Sequence, residues 1–147
     1  MKALKHFEEF LKEGTMRRVS IDKERAKSLI LGAERKIRSL HKNREKVGLD
    51  DENANEYIES CYDILLFLIR AKLYQEGYAG SGQGAHEAEV SFTRRLHWNE
   101  KEVQFLDQIR FFRNRMLYYG SILDKEYAEK VLTFTEKMYD KLRKGAE

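Results

Sequence analysis

The chain has 147 residues, of which 41% are hydrophobic and 36% are charged, and its formal net charge is +3. It contains no proline, nine glycines and a single cysteine, so an internal disulfide and a cysteine-rich zinc site are both excluded. This composition favours long helices over all-β, collagen-like and low-complexity classes, and the small net charge does not by itself indicate a nucleic-acid binder.

Apolar residues recur at helical spacing along most of the chain and predict six helices, at about 2–12, 22–47, 51–76, 86–94, 100–119 and from 125 onward. The third is apolar nearly all round, so it should be the central helix and should bury Cys61. Residues 77–84 are rich in glycine and predict a flexible connector, and no segment predicts a strand. We therefore expect one all-α domain over 1–147, an up-and-down bundle of four to five main helices plus an N-terminal helix. That first helix, within 1–14, can be peripheral to a bundle over 20–143.

Membrane and secretory segments are not expected. The longest apolar run, Ile64–Ile69, is far shorter than the ~20 residues of a membrane-spanning helix. The N-terminus carries acidic residues where a signal peptide would be apolar. The prediction is a cytoplasmic protein.

The fifth predicted helix carries the residues of most chemical interest, and Asn99 with Glu102 forms a capping-box pattern at its start. Arg110, Asn114 and Tyr118 share one face, and two further arginines, 113 and 115, flank that row. Arginine, amide and phenol groups at this density suit a phosphate or an RNA backbone, whereas the alternative is a solvated face paired with nearby acids. A second stripe predicts the core face: Phe105, Ile109, Phe112, Met116 and Tyr119.

The segment Phe112–Gly120, with sequence FRNRMLYYG, resembles the signature of HEPN (higher eukaryotes and prokaryotes nucleotide-binding) domains. That signature is an arginine, usually followed by asparagine, then four to six residues and a histidine. The resemblance extends over residues 20–143 and includes the third helix and the stretch from Arg70 to His86. It implies a helical bundle that pairs as a homodimer, with the signature in a cleft at the interface. Many members are metal-independent ribonucleases, often toxins paired with a nucleotidyltransferase antitoxin.

Position by position, Arg113 and Asn114 match the signature, but Tyr118 stands where the histidine is expected. A histidine can shuttle the proton of a ribose hydroxyl at neutral pH, whereas a phenol with an ordinary pKa near 10 is a poor base. The resemblance thus implies a candidate catalytic set of Arg113, Asn114 and Tyr118. The candidate nucleic-acid-binding residues are Arg94, Arg95, Arg110, Arg113 and Arg115.

Three functions remain open at this point. The first is a non-cleaving HEPN-like homodimer that binds RNA, a nucleotide or a partner protein through its arginine-rich cleft. The second is a metal-independent ribonuclease toxin that uses Tyr118 or a displaced histidine, and the third is a structural or scaffold helical protein. No metal or cofactor is expected, because His6, His41, His86 and His97 include no pair at ligand spacing and no suitable carboxylate partners.

Overall fold

The computed structural model describes residues 2–144. In chain order its elements are α1 (Phe7–Glu13), β1 (Met16–Arg18), α2 (Lys23–Lys46), α3 (Ala54–Glu76), β2 (Tyr78–Gly80), α4 (Ala85–Ser91), a 3-10 turn (Phe92–Leu96), α5 (Glu100–Tyr119) and α6 (Lys125–Lys144). Helix makes up 74% of the structure, which confirms the predicted all-α class. In this described part of the chain no helix is long and apolar enough to cross a bilayer.

A small sheet corrects the expectation that the chain has no strand. β1 and β2 pair antiparallel, with Met16 opposite Gly80 and Arg18 opposite Tyr78. The ladder continues past both strands, because Val19 N–H donates to the Gly77 carbonyl at 2.9 Å and Ser81 N–H donates to the Thr15 carbonyl at 2.9 Å. Strands of three residues are too short to show a period-two pattern, and part of the predicted flexible connector is therefore ordered by pairing with a distant segment.

The core is built around α3, which packs against α2, α5 and α6. Its inward side chains Ile58, Ile64 and Leu65 have no solvent exposure. Each contributes about 1.5–3 kcal/mol through removal of its apolar surface from water. Cys61 is also fully buried on this helix, so the predicted buried thiol is confirmed.

The N-terminal helix, which the sequence allowed to be peripheral, contributes directly to this core. Phe7 and Phe10 are both buried on α1. The Phe7 ring lies 5.1 Å from the ring of Tyr78 at the start of β2 and 5.2 Å from the ring of Phe92 in the 3-10 turn, measured between centroids. Aromatic pairs at these separations add to the energy of burial, so α1 is held by elements far along the chain.

Candidate nucleic-acid interface

Local sequence signals position α5. The Asn99 side chain accepts a hydrogen bond from the Glu102 backbone N–H at 2.9 Å, and the Glu102 side chain accepts one from the Asn99 N–H at 2.9 Å. The predicted capping box is therefore confirmed. The helix ends at Tyr119 because Gly120 takes the left-handed conformation, with φ of 63°.

Arg113, the first residue of the signature, faces α3 and is partly buried. One of its terminal nitrogens lies 3.2 Å from Oδ1 of Asp63, and its guanidinium lies 5.3 Å from the centroid of the Tyr62 ring. Its Nε is buried and has no hydrogen-bond partner among residues 2–144. The ion pair with α3 compensates the charge of Arg113 within the fold.

Arg110 is buried more deeply than Arg113. Its Nε donates to Oδ1 of Asp107, one turn earlier, at 2.7 Å, and a terminal nitrogen lies 3.8 Å from a carboxylate oxygen of Glu87 on α4. Two carboxylates thus surround a guanidinium that has little contact with solvent. In this geometry Arg110 links α4 to α5, a structural role that the helical spacing alone did not reveal.

Arg115 is the signature arginine that points to solvent. It stacks between two aromatic rings of its own helix, 5.8 Å from the Phe111 centroid and 5.2 Å from the Tyr119 centroid. Within the described part of the chain it forms no salt bridge. We refer to Phe111, Arg115 and Tyr119, spaced four residues apart, as the arginine–aromatic ladder. It offers a cation and π faces together, the combination that binds single-stranded nucleic acid.

The end of α5 and the segment that follows expose an unusual amount of apolar surface. Leu117 and Tyr119 are exposed, Tyr118 is 77% exposed and Ile122 is 82% exposed. Tyr119 was predicted on the core face, and that prediction is wrong, because its side chain is 74% exposed whereas Met116, one turn earlier, is buried. Asn114, which stands between Arg110 and Tyr118 on the helix, is partly buried. The side chains of Asn114 and Tyr118 form no hydrogen bond to the rest of residues 2–144.

Arg94 and Arg95, the other two predicted RNA contacts, hold the N-terminal segment. Arg94 donates to the backbone oxygens of Leu4 and Lys5 at 3.1 and 2.7 Å and pairs with Glu100 at 2.6 Å. Arg95 pairs with Glu8 at 2.9 Å and lies over the Phe7 ring. Both arginines therefore have protein partners.

None of the four histidines contacts Arg113 or Tyr118 in the described part of the chain. His41 pairs with Glu136 on α6, His6 precedes α1, and His97 ends the 3-10 turn. His86, at the start of α4, lies 2.9 Å from Oε1 of Glu89 through its Nδ1. No group of three or more histidine, cysteine or carboxylate side chains that could hold a metal ion occurs between residues 2 and 144.

Sequence reasoning missed a charged cluster formed by Arg70, His86 and Glu89. Arg70, near the end of α3, donates from Nε to Oε2 of Glu89 at 2.5 Å and from a terminal nitrogen to Oε1 at 3.2 Å. Burial by itself would raise the pKa of Glu89, but the hydrogen bonds from His86 and Arg70 outweigh it and hold that pKa below its usual range. The spacing of His86 and Glu89 on one turn was the available signal, whereas the third member comes from another helix.

Tyr62 lies between this cluster and the signature arginines. Its hydroxyl is buried without a hydrogen-bond partner among the described residues. Burial raises its pKa, and the charge of Glu89 adds to that effect, while Arg110 and Arg113 oppose it. On the interior side of α5, Arg110 and Arg113 thus have carboxylate partners within the fold, and the solvent side of the helix carries the arginine–aromatic ladder.

Comparisons of this chain with family models, with curated proteins and with solved structures find no match, so its function has to be inferred from this geometry.

Proposed function

We propose that this protein is a HEPN-like helical protein that pairs as a homodimer and binds single-stranded RNA without cleaving it. The observation that carries the proposal is the arginine–aromatic ladder on the solvent side of α5. Arg115 is exposed, has no carboxylate partner within residues 2–144 and lies between two rings. Guanidinium groups recognise phosphates, and aromatic rings stack on bases of any sequence.

The exposed apolar residues beside the ladder support pairing with a second copy. Leu117 and Ile122 have no polar atoms with which to compensate their contact with water, and they are close in sequence to the exposed Tyr118. Contiguous exposed apolar surface of this kind is typical of an interaction site. A second copy that covers Leu117 and Ile122 would bring two ladders together into one cleft.

The absence of cleavage in this proposal follows from the surroundings of Tyr118. Its hydroxyl points to solvent, and no histidine or carboxylate of the described chain makes a hydrogen bond to it. Arg113, the signature arginine that a ribonuclease would use on the phosphate, is paired with Asp63. Proton transfer from a ribose hydroxyl needs a base within hydrogen-bond reach, and these contacts supply none.

The experiment measures binding of a fluorescently labelled single-stranded RNA by anisotropy over a range of salt concentrations. Arg115→Ala removes one arginine from each of the two ladders in the dimer, so it should weaken binding by at least about tenfold and lower the salt slope by roughly 1.4, because two phosphate contacts are lost. Arg17→Ala, which removes another exposed arginine on β1, is the matched control and should leave affinity unchanged. Equal affinity of the Arg115 variant and the wild type would refute the proposed interface.

Two further readouts test the other parts of the proposal. The wild-type protein should leave RNA intact during a long incubation without metal, and fragments that disappear in Arg113→Ala would instead establish a ribonuclease. Light scattering after size exclusion should give the mass of a dimer. The double variant Leu117→Ser and Ile122→Ser should give the mass of a monomer with unchanged helical circular dichroism. A monomeric wild-type protein would contradict the homodimer.

A further inference from the structure

A cavity of about 560 Å³ lies where the 3-10 turn and Trp98 meet the last turns of α6. We refer to it as the basic groove. None of the signature residues of α5 line it, so it is a different place from the proposed RNA interface. Five of its lining side chains are cationic: Lys72, Arg95, Lys137, Lys141 and Lys144.

Lys72 is the most informative of these cations. It lies on α3 and is only 8% exposed, yet its ammonium has no salt bridge or hydrogen bond to any residue from 2 to 144. Burial lowers the pKa of Lys72, and the charge of Glu76 only partly opposes this effect. The stem of Lys72 is buried and its ammonium lines the groove, partly desolvated and without a carboxylate partner, so a bound anion would gain a charge-assisted contact there.

The remaining charges leave the groove positive. Lys137 and Lys141 share the carboxylate of Glu102, each at 3.2 Å, and Arg95 is paired with Glu8. Asp140 is the one carboxylate among the residues that line the groove. Five cations against the four nearby carboxylates of Glu8, Glu76, Glu102 and Asp140 leave the groove with an excess of positive charge, which favours an anionic group such as a phosphate monoester.

The floor of the groove is apolar and rigid. It is formed by Leu96, Trp98 and Leu142, and the Trp98 ring is held edge-on against the Phe134 ring at 5.9 Å. At the edge of the groove His97 has a φ of 66°, a left-handed conformation that is uncommon outside glycine, and its carbonyl accepts a hydrogen bond from Lys141 at 3.1 Å. This is the usual conformation of a residue that ends a helical turn. An apolar floor beneath a cationic rim suits a ligand with a flat apolar body.

We propose that the basic groove binds an organic phosphate monoester, with its phosphate on Lys72 and the neighbouring lysines and its apolar body against Trp98. The phosphate can belong to a free small molecule or to the 5′ end of an RNA chain. This site does not depend on the arginine–aromatic ladder or on the formation of a dimer.

Isothermal titration with adenosine monophosphate as the probe tests the proposal. Adenosine, which lacks the phosphate, and inorganic phosphate, which lacks the flat body, should each bind at least about tenfold more weakly, because each loses one of the two contacts. Lys72→Met keeps the length and apolar stem of the side chain and should weaken binding of adenosine monophosphate by about tenfold. Lys125→Met, at an exposed lysine at the opposite end of α6 from the groove, is the matched control and should bind as the wild type does.

Thermal melting monitors folding of the Lys72 variant, and Lys144→Gln on the exposed rim provides a second variant with the same expected direction. Three results would overturn the proposal. They are unchanged affinity in both variants, binding of adenosine as tight as that of adenosine monophosphate, and failure to bind both adenosine monophosphate and phosphorylated RNA.

A trinucleotide with and without a 5′-phosphate separates the two sources of the phosphate. Tighter binding of the phosphorylated trinucleotide than of adenosine monophosphate assigns the groove to RNA ends, and the reverse order assigns it to a free monophosphate. Arg115→Ala should not alter binding of adenosine monophosphate, so failure of one proposal is distinguishable from failure of the other.

Discussion

Replacement of Glu89 by glutamine tests the charged cluster between α3 and α4. Glu89 is buried and receives two hydrogen bonds from Arg70 and one contact from His86, at 2.5, 3.2 and 2.9 Å. Glutamine keeps the shape of the side chain, but it removes the negative charge and points an amide donor at groups that are themselves donors. Arg70 then remains partly buried without its counter-ion.

The structure sets the size of the expected effect. Removal of one partner from a fully buried ion pair costs about 3–5 kcal/mol. The Arg70 side chain is 31% exposed and that of His86 is 46% exposed, so both can regain some hydration when the carboxylate is lost. We therefore expect Glu89→Gln to lower the free energy of unfolding by about 2–3 kcal/mol. In a chain of this size that corresponds to a fall of roughly 5–10 °C in the melting temperature.

Thermal and urea unfolding followed by circular dichroism measure this difference, with Glu87→Gln on the same helix as the control. Glu87 is exposed and lies 3.8 Å from Arg110, so its replacement should cost less than about 0.5 kcal/mol. The pKa of Glu89 is lowered in the folded state, so its contribution is complete above the unfolded pKa and is lost as the pH falls through the folded value. The difference in unfolding free energy between the wild type and Glu89→Gln should be largest near pH 7 and should shrink below about pH 4. A difference under about 0.5 kcal/mol at pH 7, or one that does not change with pH, would refute the role given to the Glu89 charge.

Two other predictions concern the core. Phe7→Ala removes a buried ring that contacts Tyr78 and Phe92. It should lower the free energy of unfolding, measured by urea titration, by about 3–4 kcal/mol. A loss below about 1 kcal/mol would mean that α1 is not part of the cooperative core. Burial raises the pKa of Cys61 to about 12, so at pH 8 the thiol of the native protein should resist a thiol reagent over hours. The denatured protein should react fully. Rapid labelling of the native protein would contradict the buried thiol.

The helices were accessible from sequence because their signals are local. The apolar run of α3 and the capping residues Asn99 and Glu102 lie within or next to the helices that they define. The β1–β2 sheet was not accessible, since each strand has three residues and each residue pairs with one that is 60 to 64 positions away. The central role of Phe7 was missed for the same reason, because both of its ring partners lie far along the chain.

The candidate site shows the same limit at the level of single side chains. Helical spacing correctly placed five polar residues on α5, but it could not distinguish Arg110, Arg113 and Arg115 from one another. Asp63 and Glu87, which pair with two of these arginines, belong to other helices. Only the packing of α3 and α4 on α5 shows that Arg115, unlike Arg110 and Arg113, has no carboxylate partner in the described part of the chain.

The contacts of the N-terminal segment have a consequence for the order in which the protein assembles. The carbonyl of Lys5 is held by Arg94, 89 residues later in the chain, and Met16 pairs with Gly80. During synthesis α1 and β1 leave the ribosome before α2 and α3, but their partners are made only after these two helices are complete. The segment therefore stays without its native partners until the chain has been made as far as Arg94, and it packs only after α2 and α3 are complete.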